Sequence, residues 1–157
     1  LTLNCLKELK INTIIIYPNS DAGSEGIISA INKFKNVDFF CIKKNLPRNI
    51  FVNLLRNCRC LIGNSSAGIL ETPFLGKPSI NIGKRQSKRH HAKNTIFISS
   101  KKNTILNTIN MVGDNKFYKK IAKINYIFGS GNASDKIIKS LKSIKIGDNF
   151  FNKEIKY

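Results

Sequence analysis

No stretch of this 157-residue chain is apolar for long enough to cross a bilayer. Runs such as Ile14-Ile15-Ile16-Tyr17 fall far short of the roughly 20 residues a spanning helix needs, so no membrane partner is expected. No secretory leader is expected either, because Leu1 is followed within a few residues by Asn4, Lys7, Glu8 and Lys10. An initiator methionine is missing too, which suggests a piece of something longer. The four cysteines (Cys5, Cys41, Cys58, Cys60) lack the spacing of a zinc or thioredoxin motif, since Cys58 and Cys60 enclose a single residue. Cys41 and Cys60 sit in apolar runs, where a free cysteine behaves as a small hydrophobe. Buried, reduced thiols of a cytoplasmic protein are therefore expected. His90-His91 has no carboxylate or cysteine nearby, and adjacent side chains point apart, so no metal is expected. There is no internal repeat and no low-complexity linker.

Acidic residues are also scarce. Nine Asp and Glu against 27 Lys and Arg leave a formal charge of +18, and the nine acids offer no obvious catalytic pair. Such a charge admits a nucleic-acid or anionic-membrane binder. It equally admits a lysine-rich surface produced by AT-rich coding. The basic residues divide into 22 Lys and five Arg, with no lysine block longer than two. A nucleic-acid surface leans on arginine, clusters its charge and interleaves aromatics. The dispersed pattern favours the second reading, and no specific nucleic acid is expected.

What is present is a soluble, globular balance: 41% hydrophobic and 23% charged residues, in a length that suits one domain. β-branched runs alternate with helical periodicities. Strands are expected at Ile11–Tyr17, Val37–Ile42, Cys60–Gly63, Pro78–Ile82 and Thr95–Ser99. Helices are expected at Ser24–Lys35, with Ser24 as cap, at Asn49–Asn57, and from about Ser66. Further helices are expected at Asn103–Val112, Asn115–Lys123 and Ala133–Ile144. Strands separated by helices need crossover connections, hence a parallel sheet covered on both faces. The expected fold is an α/β, Rossmann-like three-layer domain over residues 1–146, followed by a polar tail at 147–157. Ligands of such folds sit outside the carboxyl ends of the strands.

The loops at those ends carry the chemistry. Gly63 to Gly76 reads G-N-S-S-A-G-I-L-E-T-P-F-L-G, a strand-to-helix turn whose free amides near Ser65 and Ser66 can bind an anion with help from the helix dipole. Ala67 and Gly68 are small enough for a phosphate to approach the backbone. Glu71 lies six residues past Ser65, roughly 9 Å along a helix. A carboxylate there would repel phosphate unless it binds something else, and a ribose cis-diol can donate to both of its oxygens. The other possibility is a capped helix with a surface glutamate. Pro73 should kink or tighten this helix. Asn81 to His91 reads N-I-G-K-R-Q-S-K-R-H-H, and it places Arg85 and Arg89 where a planar donor fork suits phosphate. P-N-S-D-A-G-S at Pro18–Ser24 reads as turn and cap chemistry. K-K-N-L-P-R at Lys43–Arg48 is less informative.

In combination and order, these segments resemble the UDP-N-acetylglucosamine 2-epimerase family. They match the C-terminal half of its two-domain GT-B architecture, from about Ile11 to Leu141. The matching segments are P-N-S-D-A-G-S at Pro18, G-N-S-S-A-G-I-L-E at Gly63, L-G-K-P-S-I-N-I-G-K-R-Q at Leu75 and G-S-G-N-A-S at Gly129. The N-I-G-x-R-Q-x-x-R form resembles the hydrolysing branch, which supplies N-acetylmannosamine-type sugars for sialic-acid-like nonulosonates. The sequence departs at Tyr126-Ile127-Phe128-Gly129, where many relatives have Asn-Pro-Tyr-Gly.

The resemblance implies a UDP-sugar substrate and no cofactor. It places Ser65, Ser66 and Arg85 on the diphosphate and Glu71 on the ribose. Asn19 would lie near the sugar–diphosphate end, and Leu46 beside the uracil, through its backbone. Catalytic acid/base carboxylates and a cleft histidine would belong to an N-terminal domain preceding this segment, so no catalytic residue is expected within it. The isolated segment would be inactive, and the whole protein a homo-oligomer. A non-hydrolysing epimerase, the donor domain of a GT-B glycosyltransferase and a basic nucleic-acid module are the competing readings.

Overall fold

The β-branched runs fold as five short strands in a computed structural model that describes residues 1–20, 22–124 and 126–144. They are β1 (Thr13–Ile16), β2 (Phe40–Lys43), β3 (Leu61–Gly63), β4 (Ser79–Ile82) and β5 (Thr95–Ile98). Each falls within or beside an expected run, trimmed because the flanking residues turn rather than pair. The hydrogen bond from the Phe40 amide to the Val37 carbonyl, for example, closes a turn over residues that read as the start of β2. The helices are α1 (Thr2–Glu8), α2 (Ser24–Asn32), α3 (Arg48–Asn57), α4 (Ala67–Leu70), α5 (Lys102–Gly113), α6 (Asn115–Ala122) and α7 (Ala133–Ser143).

All pairings are parallel, as crossover helices require. The expected single sheet is divided into two hydrogen-bonded pieces, β1-β2 and β3-β4-β5. The pieces nevertheless share one hydrophobic core. Ile15 and Phe40 from the first piece and Ile80 from the second are buried with Ile105, Ile109 and Val112 of α5. Cys5 and Leu6 of α1 join the same cluster. The sequence reading missed α1, although Leu3, Leu6 and Leu9 recur at helical spacing and all belong to this core or pack against it.

The chain divides into two compact units, residues 1–126 and 127–157. The first holds the strands and α1–α6. In the second, Gly129 and Gly131 adopt positive φ (92° and 89°) ahead of α7, and no residue of α7 is buried. The domain end expected at 146 and the tail at 147–157 lie outside the described residues.

Two local expectations are corrected. The cap of α2 is Gly23, at φ 84°, rather than Ser24, because the turn out of β1 needs a left-handed residue. The thiols do not share one environment either. All four are free, with Cys5 buried, Cys58 and Cys60 half-buried, and Cys41 exposed, because alternation along β2 turns Cys41 outward between Phe40 and Ile42. Burial pushes the Cys60 thiol up to about 12, with Cys58 adding to the shift and Arg59 opposing it.

Candidate functional site

A cavity of about 680 Å³ opens at the carboxyl ends of β1 and β3, where the sheet is divided. Its volume is ordinary for a small-molecule site. Ile14 and Ile16 of β1 and Leu61 and Ile62 of β3 line it together, so the gap between the two sheet pieces is its floor. Ile27 of α2 and Phe51 of α3 add apolar wall. Polar groups come from the loops after β1, β2, β3 and β4. Four loops distant in sequence therefore converge on one opening.

Five of the six residues assigned by sequence line this cavity: Asn19, Leu46, Ser65, Ser66 and Arg85. The sixth, Glu71, does not line it directly. Its Oε2 instead accepts from Nη1 of Arg48 at 2.7 Å, and Arg48 is a lining residue. Sequence reasoning did not single out Arg48. Arg89 and Gln86 also line the cavity, so three of the chain's five arginines meet there. In a chain that writes lysine 22 times, that concentration was the available signal, and only part of it was read. A fourth arginine, Arg59, serves folding. Its Nε and Nη2 donate to the Val112 and Gly113 carbonyls at the end of α5, and its guanidinium lies 4.2 Å from the Tyr118 ring centre.

The helix expected from about Ser66 is short. α4 is a single turn of four residues, and Glu71 already closes it. The chain then tightens through Pro73, where Gly76 N–H bonds to the Pro73 carbonyl at 3.1 Å. The expected tightening at Pro73 is present. So short a helix carries little macrodipole, so individual donors must supply most of any attraction for an anion. The Ala67 amide turns back to Ser65 Oγ at 3.3 Å, and the Gly68 amide to the Ser65 carbonyl at 3.2 Å. Among the described residues, neither the Ser65 nor the Ser66 amide donates to the protein. These two donors are available to an anion.

Ala67 and Gly68 do not open the backbone to a phosphate as expected. Both are buried and neither lines the cavity. A Cβ at Gly68 would run into Ser79 Oγ of β4 and lie 3.3 Å from Ser79 Cβ. Its missing side chain lets α4 lie close against the sheet. The Gly68 carbonyl also accepts from Thr72 Oγ1 at 2.8 Å and Thr95 Oγ1 at 3.0 Å. Asn94 Nδ2 bonds Thr72 Oγ1 at 3.0 Å and the Lys77 carbonyl at 2.7 Å, completing a buried polar lattice behind the turn. From the β4 loop, Gln86, only 3% exposed, donates from Nε2 to the Asn64 carbonyl at 3.0 Å. It thereby braces the segment that presents Ser65.

On the other side of the cavity, the Leu46 amide is taken by Asn45 Oδ1 at 2.8 Å. Its carbonyl has no partner among the described residues and is the backbone group left to read a ligand. Tyr17 lines the wall with its hydroxyl committed to Asn32 Oδ1 at 2.6 Å, which fixes β1 against α2. His91, once a conceivable metal ligand, has Nδ1 2.9 Å from the Arg89 carbonyl and packs its ring edge-on to Phe97. The assembled site has apolar walls, two free amides with hydroxyls beside them, three guanidinium groups and one carboxylate held by a guanidinium. It suits an elongated anion with a flat or apolar end.

Residues 2–142 match the family model described as UDP-N-acetylglucosamine 2-epimerase. A UDP-N-acetylglucosamine 2-epimerase of Neisseria meningitidis is 40% identical over 98 residues, covering 62% of this chain and 26% of that protein. A hydrolysing UDP-N,N'-diacetylbacillosamine 2-epimerase of Legionella pneumophila is 29% identical over 140 residues, covering 89% of this chain and 36% of that protein. The chain thus spans about a quarter to a third of the length of these relatives. Among solved structures, a Methanocaldococcus jannaschii UDP-GlcNAc 2-epimerase in complex with UDP-GlcNAc and UDP superposes with a TM-score of 0.71 at 14% identity, covering 89% of this chain and 38% of that one. A UDP-GlcNAc 2-epimerase from N. meningitidis bound to UDP-GlcNAc gives 0.67 at 19% identity, covering 91% of this chain and 40% of that one. The shared fold is the Rossmann-like α/β half expected of a GT-B architecture.

Proposed function

The chain belongs to the UDP-N-acetylglucosamine 2-epimerase family, and on that premise we propose that it is the UDP-binding half of a hydrolysing member. The observation that carries the reading is the meeting of Asn19, Leu46, Ser65, Ser66 and Arg85 around one cavity. In this reading the Ser65 and Ser66 amides and hydroxyls, with Arg85, hold the diphosphate through charge-assisted hydrogen bonds. The Leu46 carbonyl accepts from the uracil N3–H. Cytosine has no hydrogen at that nitrogen, so the same carbonyl discriminates between the two pyrimidines. Glu71 accepts from the ribose hydroxyls, and Asn19 faces the sugar–diphosphate end.

The reaction this half would serve begins with removal of the proton on sugar carbon 2 by a base. The bond from carbon 1 to the UDP oxygen breaks, UDP leaves with the electron pair, and a glycal forms. In the hydrolysing outcome, water adds hydroxyl to carbon 1, and a proton returns to carbon 2 from the opposite face. The products are UDP and an N-acetylmannosamine-type sugar suited to sialic-acid-like biosynthesis. A non-hydrolysing relative would return UDP to carbon 1 instead. The bases and acids belong to the N-terminal domain that this segment lacks. Within the segment, Arg85 and the two amides offset charge developing on departing UDP. The segment alone would bind but not turn over, and the whole protein would act in the cytoplasm as a homo-oligomer.

Support for the hydrolysing branch comes from the hydrolysing Legionella relative and from a hydrolysing GDP/UDP-N,N'-diacetylbacillosamine 2-epimerase of Campylobacter jejuni, 34% identical over 91 residues. A polysialic acid biosynthesis protein of Escherichia coli, 30% identical over 132 residues, supports the pathway class. Product analysis of the chain joined to its N-terminal domain tests this directly. Free epimerised sugar and UDP in equal amounts are expected. A UDP-linked epimer would identify a non-hydrolysing enzyme, and a glycosylated acceptor a transferase.

A further inference from the structure

One interaction at the cavity has no task in the reading above. Arg48, the first residue of α3, donates from Nη1 to Glu71 Oε2 across 23 residues of sequence at 2.7 Å. The Arg48 side chain is 69% exposed and that of Glu71 26% exposed. An ion pair this accessible adds little to folding stability, so stability is a poor reason for it. Its position is more informative. It ties the start of α3, immediately after Leu46-Pro47, to the residue that closes α4. Arg48 lines the cavity whereas Glu71 does not, so the guanidinium links the carboxylate to the cavity wall.

The chemistry of the pair fits a diol. A carboxylate offers about four acceptor sites on its two oxygens, and the bond to Arg48 uses one of them. Among the described residues nothing else bonds the carboxylate, so Oε1 and the second lone pair of Oε2 are left for two adjacent hydroxyls. The guanidinium also offsets a negative charge that would otherwise repel a diphosphate bound at Ser65 and Ser66. We propose that Arg48 is a positioning residue that holds the Glu71 carboxylate turned toward the cavity and charge-compensated, so that it reads the ribose hydroxyls of the bound nucleotide. This rests on the UDP reading of the site.

Titration of UDP and 2′-deoxy-UDP into the 157-residue chain tests it, with Arg48→Ala, Arg48→Lys, Glu71→Ala and the Arg48→Ala/Glu71→Ala double variant. The unmodified chain should prefer UDP about tenfold, the size of one charge-assisted hydrogen bond. Arg48→Ala should shrink that preference to within about twofold while scarcely changing affinity for 2′-deoxy-UDP. Glu71→Ala should do the same, the double variant should lose no more, and Arg48→Lys should keep part of the preference. Equal losses for both nucleotides in Arg48→Ala would show a phosphate contact or a purely structural role and overturn the proposal. A preference removed by Glu71→Ala but kept in Arg48→Ala would overturn it while leaving the UDP reading intact. Failure of the unmodified chain to bind UDP would overturn both.

Discussion

The two sides of the β3–α4 turn are made of similar residue types put to opposite use. Behind the turn, Thr72, Asn94 and Thr95 spend their side-chain donors on one another, on the Gly68 carbonyl and on the Lys77 carbonyl. Gly68 supplies the room that lets them close. In front, the Ser65 and Ser66 amides donate to nothing among the described residues. Around them stand the guanidinium groups of Arg48, Arg85 and Arg89. Bonding the buried donors behind the turn within the protein offsets the cost of taking them out of water, although the buried Asn94 Oδ1 has no partner among the described residues. The Ser65 and Ser66 amides belong to residues that line the cavity, and they remain for a ligand. The lattice behind thus holds the donors in front without consuming them.

If that division holds, changes behind the turn lower stability and leave affinity alone, while changes in front do the reverse. Gly68→Ala should have the largest effect, because the new methyl meets Ser79 on the sheet. A loss of about 3 kcal/mol in urea unfolding is expected, with the folded fraction binding UDP as before. Arg85→Ala should lower UDP affinity by about 2 kcal/mol, or roughly thirtyfold, with little change in unfolding midpoint. Asn94→Ala removes both hydrogen bonds from its Nδ2. It should cost on the order of 1.5 kcal/mol of stability and less than a factor of two in affinity. An Asn94→Ala variant that stays stable but loses UDP would break the comparison.

The smallest effect is read from the thiols. Cys60, with its ionisation pushed up to about 12 by burial, should resist alkylation at pH 8 while exposed Cys41 reacts. The folded state holds that proton more tightly than the unfolded state, whose value is near 9.0. The stability linked to Cys60 is therefore complete below pH 9 and is lost as pH rises from about 9 toward 12. Mass mapping of the alkylated cysteines across that range checks both statements. Early labelling of Cys60 at pH 8 would mean that the packing around β3 opens readily.

The alternation of strand and helix was legible because each buried strand of a parallel sheet must be a short β-branched run. The four loops at the carboxyl ends were legible because turn residues, hydroxyls and arginines interrupt those runs. Two things were hidden. The role of Gly68 depends on Ser79, eleven positions on and in another strand, and glycine near a serine-rich turn reads equally well as room for a ligand. Arg48 ends an uninformative sequence segment and opens α3, and only the fold brings it to Glu71. The one-turn length of α4 was half visible, since Pro73 announced an early end without fixing where. Local pattern reported the elements, and long-range contact decided what particular residues do.

The account turns most directly on whether the free amides at the front of the turn are where a nucleotide diphosphate docks. Amide resonances of the ¹⁵N-labelled chain can be followed one by one as UDP is added. The account predicts that Ser65 and Ser66 shift together with Leu46, at one common dissociation constant, while Thr72 and Asn94 behind the turn stay still. Saturating UDP that leaves Ser65 and Ser66 unmoved, or moves only lysine-rich surface away from the cavity, would contradict it.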